Sequence, residues 1–464
     1  MTEEENTANP LPKKISSKEL RDLLRNPNGD ILKSDGENST ILFDGYTIED
    51  KYIILDDTVK ISIPLTFKNC IFTSKHFVYI DGMVCNKELT FEGCSFSNSL
   101  FFQSGEFKKE VLLKYSDLEN HQIHLGNCTF DKISISCYNV KEVWFSGGKF
   151  ESLRIGDHLH GDNIKELTIF AKSNEVGDIY ITEQIIDKIY INGTNKDKEF
   201  SFSKIKCNNI SINDFKNEGS LNFYGIEPQQ SKNSYFQIIN SNLDKAQFYR
   251  ASFSDYTELI IIDSFITDTL FIACKWSKNI RALFGPGYTS FEKSLKNGRK
   301  ITPTEILGIR EAYRQLKISM SKHSDKIQEN KFYAEELVFY NKTLIWGKPW
   351  KNEFWDKIVL YWSKNFSDYG QSFIKPLFWL ILGHFILFSF ALIFNGFDHL
   401  YISWSNASSS AFEEAFEKYF IYINPLRKFE VSFSGYLIVL DILMRIWSSY
   451  MIYNIIRASR RFIS

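Results

Sequence analysis

The residues best suited to proton transfer gather at one place: Asp157-His158, His160 and Asp162, with Glu151 just before them. Carboxylates and imidazoles at this density suit general acid–base work, as on the faces of polysaccharide-cleaving β-helices. Gly156, Gly161 and Asn163 surround them, however, which is the composition of a protruding polar loop. The chain carries no Walker loop, GxGxxG, GxSxG or HExxH motif. Its seven cysteines (Cys70, Cys85, Cys94, Cys128, Cys137, Cys207 and Cys274) are scattered, without a CxxC pair or zinc spacing. They read as small buried residues kept reduced. The expectation is a protein that is not an enzyme and holds neither cofactor nor metal.

Other chemistry lies in the last hundred residues, where two apolar stretches are each long enough to cross a bilayer. Pro376 to Phe394 contains no formal charge. At about 1.5 Å per residue it spans roughly 28 Å, close to a hydrocarbon core of about 30 Å. Its one polar mark is His384. The second stretch, Val431 to Ile456, is interrupted by Asp441 and Arg445. Four residues apart on a helix, these two can pair, and unpaired charges at such depth are expensive. The pair either faces a pore axis or pins one helix against another. Between the stretches, Phe412, Phe416, Tyr419, Phe420 and Ile423 share one helical face, and Glu413, Glu414 and Glu417 another. This segment reads as a surface helix or as a re-entrant helix with an acidic mouth. No TVGYG-like filter follows it.

Lysines at 348, 351, 357, 364 and 375 precede the first span, and Arg457, Arg460 and Arg461 follow the second. The positive-inside rule then places both termini in the cytoplasm, with the spans in the cytoplasmic membrane. The opening residues are acidic and polar, with no apolar core of a signal peptide. A net charge of −1 argues against general nucleic-acid affinity.

What must position these groups is mostly a repeat. A phrase of alternating apolar residues, then Asn, Gly or Asp, then Cys, Ser or Gly, then Phe, Leu or Ile recurs. It reads LTFKNCIF at 65–72, LTFEGCSF at 89–96, IHLGNCTF at 123–130, VWFSGGKF at 143–150, FQIINSNL at 236–243 and LIIIDSFI at 259–266. Offsets of 24, 34, 20 and 23 residues between neighbours are those of a solenoid. Each phrase is a short strand followed by a tight corner, and second strands (133–136, 153–155) lie between phrases. A right-handed parallel β-helix follows, with an antiparallel sandwich as the competing architecture. Ala246 and Ala251, with Phe248 and Phe253, come closest to a pentapeptide pattern.

After Gly-Pro-Gly at 285–287 the period becomes helical. Thr302-Pro303-Thr304-Glu305 is a helix start, with Ile306, Ile309, Tyr313, Leu316 and Met320 on one face. A turn at 323–325 leads to a second helix offering Ile327, Phe332, Leu337 and Phe339 for packing. Residues 344–366, rich in Trp and Lys, suit a membrane interface or an ordinary amphipathic connector.

Tyr313-Arg314-x-Leu316-Lys317, Phe332-Tyr333-x-x-Glu336, Asp368-Tyr369-Gly370-x-Ser372-x-x-x-Pro376-Leu377 and Arg457-Ala458-x-Arg460-Arg461-Phe462 carry a resemblance. Over roughly residues 303–464 the chain resembles bacterial pentapeptide-repeat-containing membrane proteins of the ion-channel type, which have two C-terminal transmembrane segments. The solenoid departs from that pattern, with β-branched and aromatic residues where Ala and Leu belong. The resemblance implies architecture more firmly than activity.

The expected organisation is a flexible segment (1–38), a cytosolic β-helix (39–284), a helical neck (285–370) and a transmembrane hairpin (371–464, spans about 376–396 and 432–456). Two spans cannot enclose a water path, so a channel requires a homo-oligomer. The expectation is a channel-like bundle with the solenoid as a sensing surface for a protein partner. The alternative is a non-conducting membrane-tethered scaffold, in envelope physiology or phage defence.

Overall fold

The computed structural model describes residues 13–35, 38–146, 148–156, 163–171, 176–230, 232–277, 280–281, 302–394, 409–428 and 435–460. They belong to two compact units, residues 1–288 and 289–464, each described by itself.

The first unit is a parallel β-solenoid of about ten coils. In its eleven-stranded sheet, Ile53, Val78, Leu100, Ile123, Val143, Leu167, Ile189, Ile210, Phe236, Leu259 and Ile280 stand at one register position. All are buried, so each coil rests its apolar row on the next. Phenylalanines do the same on the other sheet. Phe43, Phe67 and Phe91 stack at 5.2 and 5.1 Å, and Phe202, Phe223, Phe248 and Phe271 at 4.8, 4.8 and 5.2 Å. Each such pair adds about 0.5–1.5 kcal/mol beyond its buried area. An antiparallel sandwich is excluded: among the described strands only Leu32–Asp35 with Asn38–Asp44 pairs antiparallel.

The corners show why the repeated phrase has its composition. Asn69, Gly93, Asn127, Asn240 and Asp263 all take positive φ, between 44° and 62°. Gly, Asn and Asp enter that region at least cost. The next residue (Cys70, Cys94, Cys128, Ser241 or Ser264) is buried inside the corner. The Cys70 thiol donates to the Phe43 carbonyl and that of Cys94 to Phe67, both at 3.3 Å. The Ser241 hydroxyl reaches Ile212 at 3.2 Å. A small donor here both fits the bend and ties its coil to the one before. Burial pushes the Cys85 thiol up to about 11 and Cys128 up to about 12, so neither is a ready nucleophile.

Within the N-terminal segment, read from the sequence as flexible, the described residues begin at 13 and include a helix. Helix α1 (Ser17–Arg25) begins with a capping box, Ser16 and Glu19 exchanging hydrogen bonds. Leu20, Leu24 and Ile31 are buried, and Lys14–Ile15 pairs with Thr47–Ile48. A solenoid end needs such a cover for its apolar rows.

The second unit is helical: α2 (Pro303–Lys322), α3 (Lys326–Thr343), α4 (Asn352–Ser367), α5 (Ile374–Ile393), α6 (Ser409–Ile423) and α7 (Tyr436–Arg460). The Thr302–Glu305 capping box starts α2 as expected. Tyr313 packs on Phe332 and Phe339 of α3, whereas Ile327, also expected at this seam, is exposed. Helices α5 and α7 are long and apolar enough to cross a membrane. The first starts two residues before Pro376, because proline in a first turn forfeits no hydrogen bond. The second continues to Arg460, whose cation favours a helix C-terminus.

Candidate functional site: the polar contacts of the apolar hairpin

Helices α5 and α7 meet closely at Gly383, where an added Cβ would lie 2.3 Å from the Trp447 ring. The Trp447 indole N–H donates to the Trp379 carbonyl at 3.0 Å. One residue further along each helix, His384 Nδ1 lies 3.4 Å from the Ser448 hydroxyl, both residues fully buried. His384 therefore pairs the two helices, and its Nε2 has no partner among the described residues.

Asp441 lies on the second turn of α7, nearer the helix end than the middle of the apolar stretch suggested. The expected i,i+4 pair forms, Arg445 Nε to Asp441 Oδ2 at 2.7 Å. A second cation, missed in the sequence, completes it: Arg427 Nη2 bonds Asp441 Oδ1. The aspartate side chain is 1% exposed, so both its oxygens are occupied within one chain. Arg445 also caps the carbonyls of Pro425, Arg427 and Lys428 at 3.0, 2.7 and 3.1 Å. Arg427 covers the Tyr422 ring at 4.1 Å. The group ties the turn after α6 to the start of α7. Arg427 stands among other charges, Lys428 and Glu430, so nothing in the sequence set it apart.

No family model, curated protein or solved structure matches this chain. The site is therefore read from its own geometry.

Helix α6 is held against the hairpin by Tyr419 and Tyr422, buried with Phe388, Ala391, Leu437 and Met444. The Tyr419 hydroxyl donates to the Ile381 carbonyl at 2.8 Å, and its ring meets His384 edge-on at 5.4 Å. Tyr419 was legible as part of an apolar face, but not its target. Beside Tyr419 and Tyr422 on the same broad face, Phe412, Phe416 and Phe420 stay exposed. Glu413 and Glu417 are exposed one turn apart, while Glu414 is half-buried, 3.6 Å from Lys418.

The acid–base candidates Asp157, His158, His160 and Asp162 lie outside the described residues, as do Gly-Pro-Gly 285–287 and residues 395–408. Glu151, the member described, is exposed on a solenoid strand. Among the described residues no three of His, Cys, Asp and Glu gather as a metal site would require.

Proposed function

We propose that this chain is a membrane-anchored β-solenoid protein whose hairpin, with α6 against it, assembles in several copies around a water-filled path. The observation that carries the reading is the Tyr419 bond to Ile381. Ile381 is the eighth residue of α5, about 10 Å along that helix, so Tyr419 sits at bilayer depth if α5 spans. Helix α6 has fifteen residues, roughly 22 Å, too short to cross. It behaves as a re-entrant helix, apolar toward lipid through Phe412, Phe416 and Phe420. Glu417, two residues before Tyr419, lies within about 3 Å of the same depth. A carboxylate there facing hydrocarbon costs at least ~2.5–3.5 kcal/mol, which a water-lined interior between copies relieves.

The solenoid then serves as the docking surface for a cytosolic protein partner, with neither enzyme activity nor cofactor, and the termini face the cytoplasm. The test is conductance of reconstituted protein. Cation-selective current that loses selectivity in Glu417→Gln is expected, because a carboxylate ring favours cations. Current whose selectivity survives Glu417→Gln removes that carboxylate from the path, and no current under any stimulus overturns the pore.

A specific observation favours the scaffold as second reading. Asp441, Arg427, Arg445 and the His384–Ser448 contact are arranged within one chain, so the spans need no partner to satisfy these charges.

A further inference from the structure

Helix α4 carries a second apolar face that its own chain leaves bare. On one side Leu360 is buried with Ala334, Leu344 and Tyr369. On another, Trp355, Val359, Trp362 and Phe366 follow the i, i+4, i+7, i+11 spacing of one stripe. Only the last of these is docked: the Phe366 ring meets Trp379 and Trp447 edge-on at 5.2 Å each, and Tyr450 at 6.5 Å. The rest stand exposed, Trp355 by 57%, Val359 by 63% and Trp362 by 51%.

The depth of this stripe follows from what Phe366 touches. Trp379 is the sixth residue of α5, about 7–8 Å along it, and Trp447 and Tyr450 lie well inside α7. The end of α4 therefore stands beside both spans after they have entered the apolar layer. The face that touches the spans at Phe366 continues as Trp362, Val359 and Trp355 along the same direction. Lys357 and Lys364 stand on the opposite face, and Lys348 and Lys351 precede the helix. None of Lys348, Lys351 and Lys364 has a carboxylate within ion-pair distance among the described residues, whereas Lys375 pairs with Asp368 at 3.3 Å.

We infer that α4 lies in the headgroup layer of the leaflet where α5 begins, its Trp355–Val359–Trp362 stripe on the acyl chains. Lys348, Lys351 and Lys364 take the phosphates of anionic phospholipids. Tryptophan at the carbonyl level and lysine reaching outward are the arrangement such helices adopt. The occupant of the bare stripe is thus the bilayer, because the stripe is continuous with the membrane-facing sides of the spans. Through Phe366, lipid composition bears on the packing of α5 against α7.

The inference rests on the hairpin spanning a bilayer, and the experiment separates the two. Full-length protein carrying a bimane label at Val359→Cys, Lys364→Cys or Phe385→Cys is reconstituted into vesicles with acyl-brominated lipids. Phe385 is an exposed residue of α5 and reports the span itself. Quenching at Phe385→Cys and Val359→Cys, but not at Lys364→Cys, is expected. Quenching at Phe385→Cys alone overturns the inference and leaves the hairpin standing; quenching at neither overturns both. In a second arm, adding phosphatidylglycerol to phosphatidylcholine should blue-shift the Val359→Cys label, and Lys348→Gln/Lys351→Gln/Lys364→Gln should abolish that shift. A label indifferent to phosphatidylglycerol, or a shift that survives the triple change, overturns the phosphate assignment.

Discussion

Asp441 illustrates how a charge in an apolar helix is made tolerable. Two guanidinium groups reach its two oxygens, and the arginines spend their remaining donors on the carbonyls of the turn after α6. Removing one partner from a buried ion pair costs about 3–5 kcal/mol, because the other charge stays behind. Asp441→Asn should therefore lower yield and melting temperature sharply, with ion selectivity unchanged. Wild-type stability combined with altered selectivity would place the carboxylate on a pore axis instead. The pairing of Asp441 with Arg445 was legible, since four residues on a helix put them side by side. Arg427 was not, because its reach depends on how α6 turns back toward α7, a tertiary matter that spacing does not encode. His384 was visible only as a polar mark; its contact with Ser448 needs the register of two helices.

At the scale of the element, the solenoid was the more legible half. Asn69, Gly93 and Asn127 announce corners, and the alternation in LTFKNCIF announces a strand with one buried face. Phe91 and Phe96 are both buried, Phe96 stacked on Phe72 at 4.7 Å. Phe96→Ala should cost about 3–5 kcal/mol as a large-to-small core change. The loss should concentrate in neighbouring coils, measurable as amide exchange rising around residues 65–117 before the rest of the unit. Uniform acceleration across all coils would mean that the solenoid unfolds as one cooperative body. The N-terminal helix was the element missed. Its signals, Ser16 three residues before Glu19 and apolar Leu20 and Leu24, were present but lie within an otherwise polar segment. The seam of α2 and α3 was half-read: Phe332 packs there, but Ile327, in the first turn of α3, stays exposed. One face of a helix was counted, but its angle to the neighbour decides which turn reaches.

For the whole molecule, the account requires a hairpin that enters and returns. Single cysteines at Ser324, in the turn between α2 and α3, and at Leu426, exposed after α6, should label oppositely with an impermeant thiol reagent in intact cells. Labelling of both from outside would refute the hairpin. Exposed Phe378, Ile381 and Phe385 on α5 and Val439, Leu443 and Ile446 on α7 leave wide apolar surfaces around a two-helix core. Lipid covers part of such a surface, and the proposed path needs other copies of the chain to cover the rest. The native mass of the full-length protein extracted in lipid nanodiscs tests this most directly. One chain weighs 54.2 kDa, and the account predicts a protein mass of four or more copies. A protein mass of 54.2 kDa, that of a single copy, would contradict it and leave a membrane-tethered scaffold.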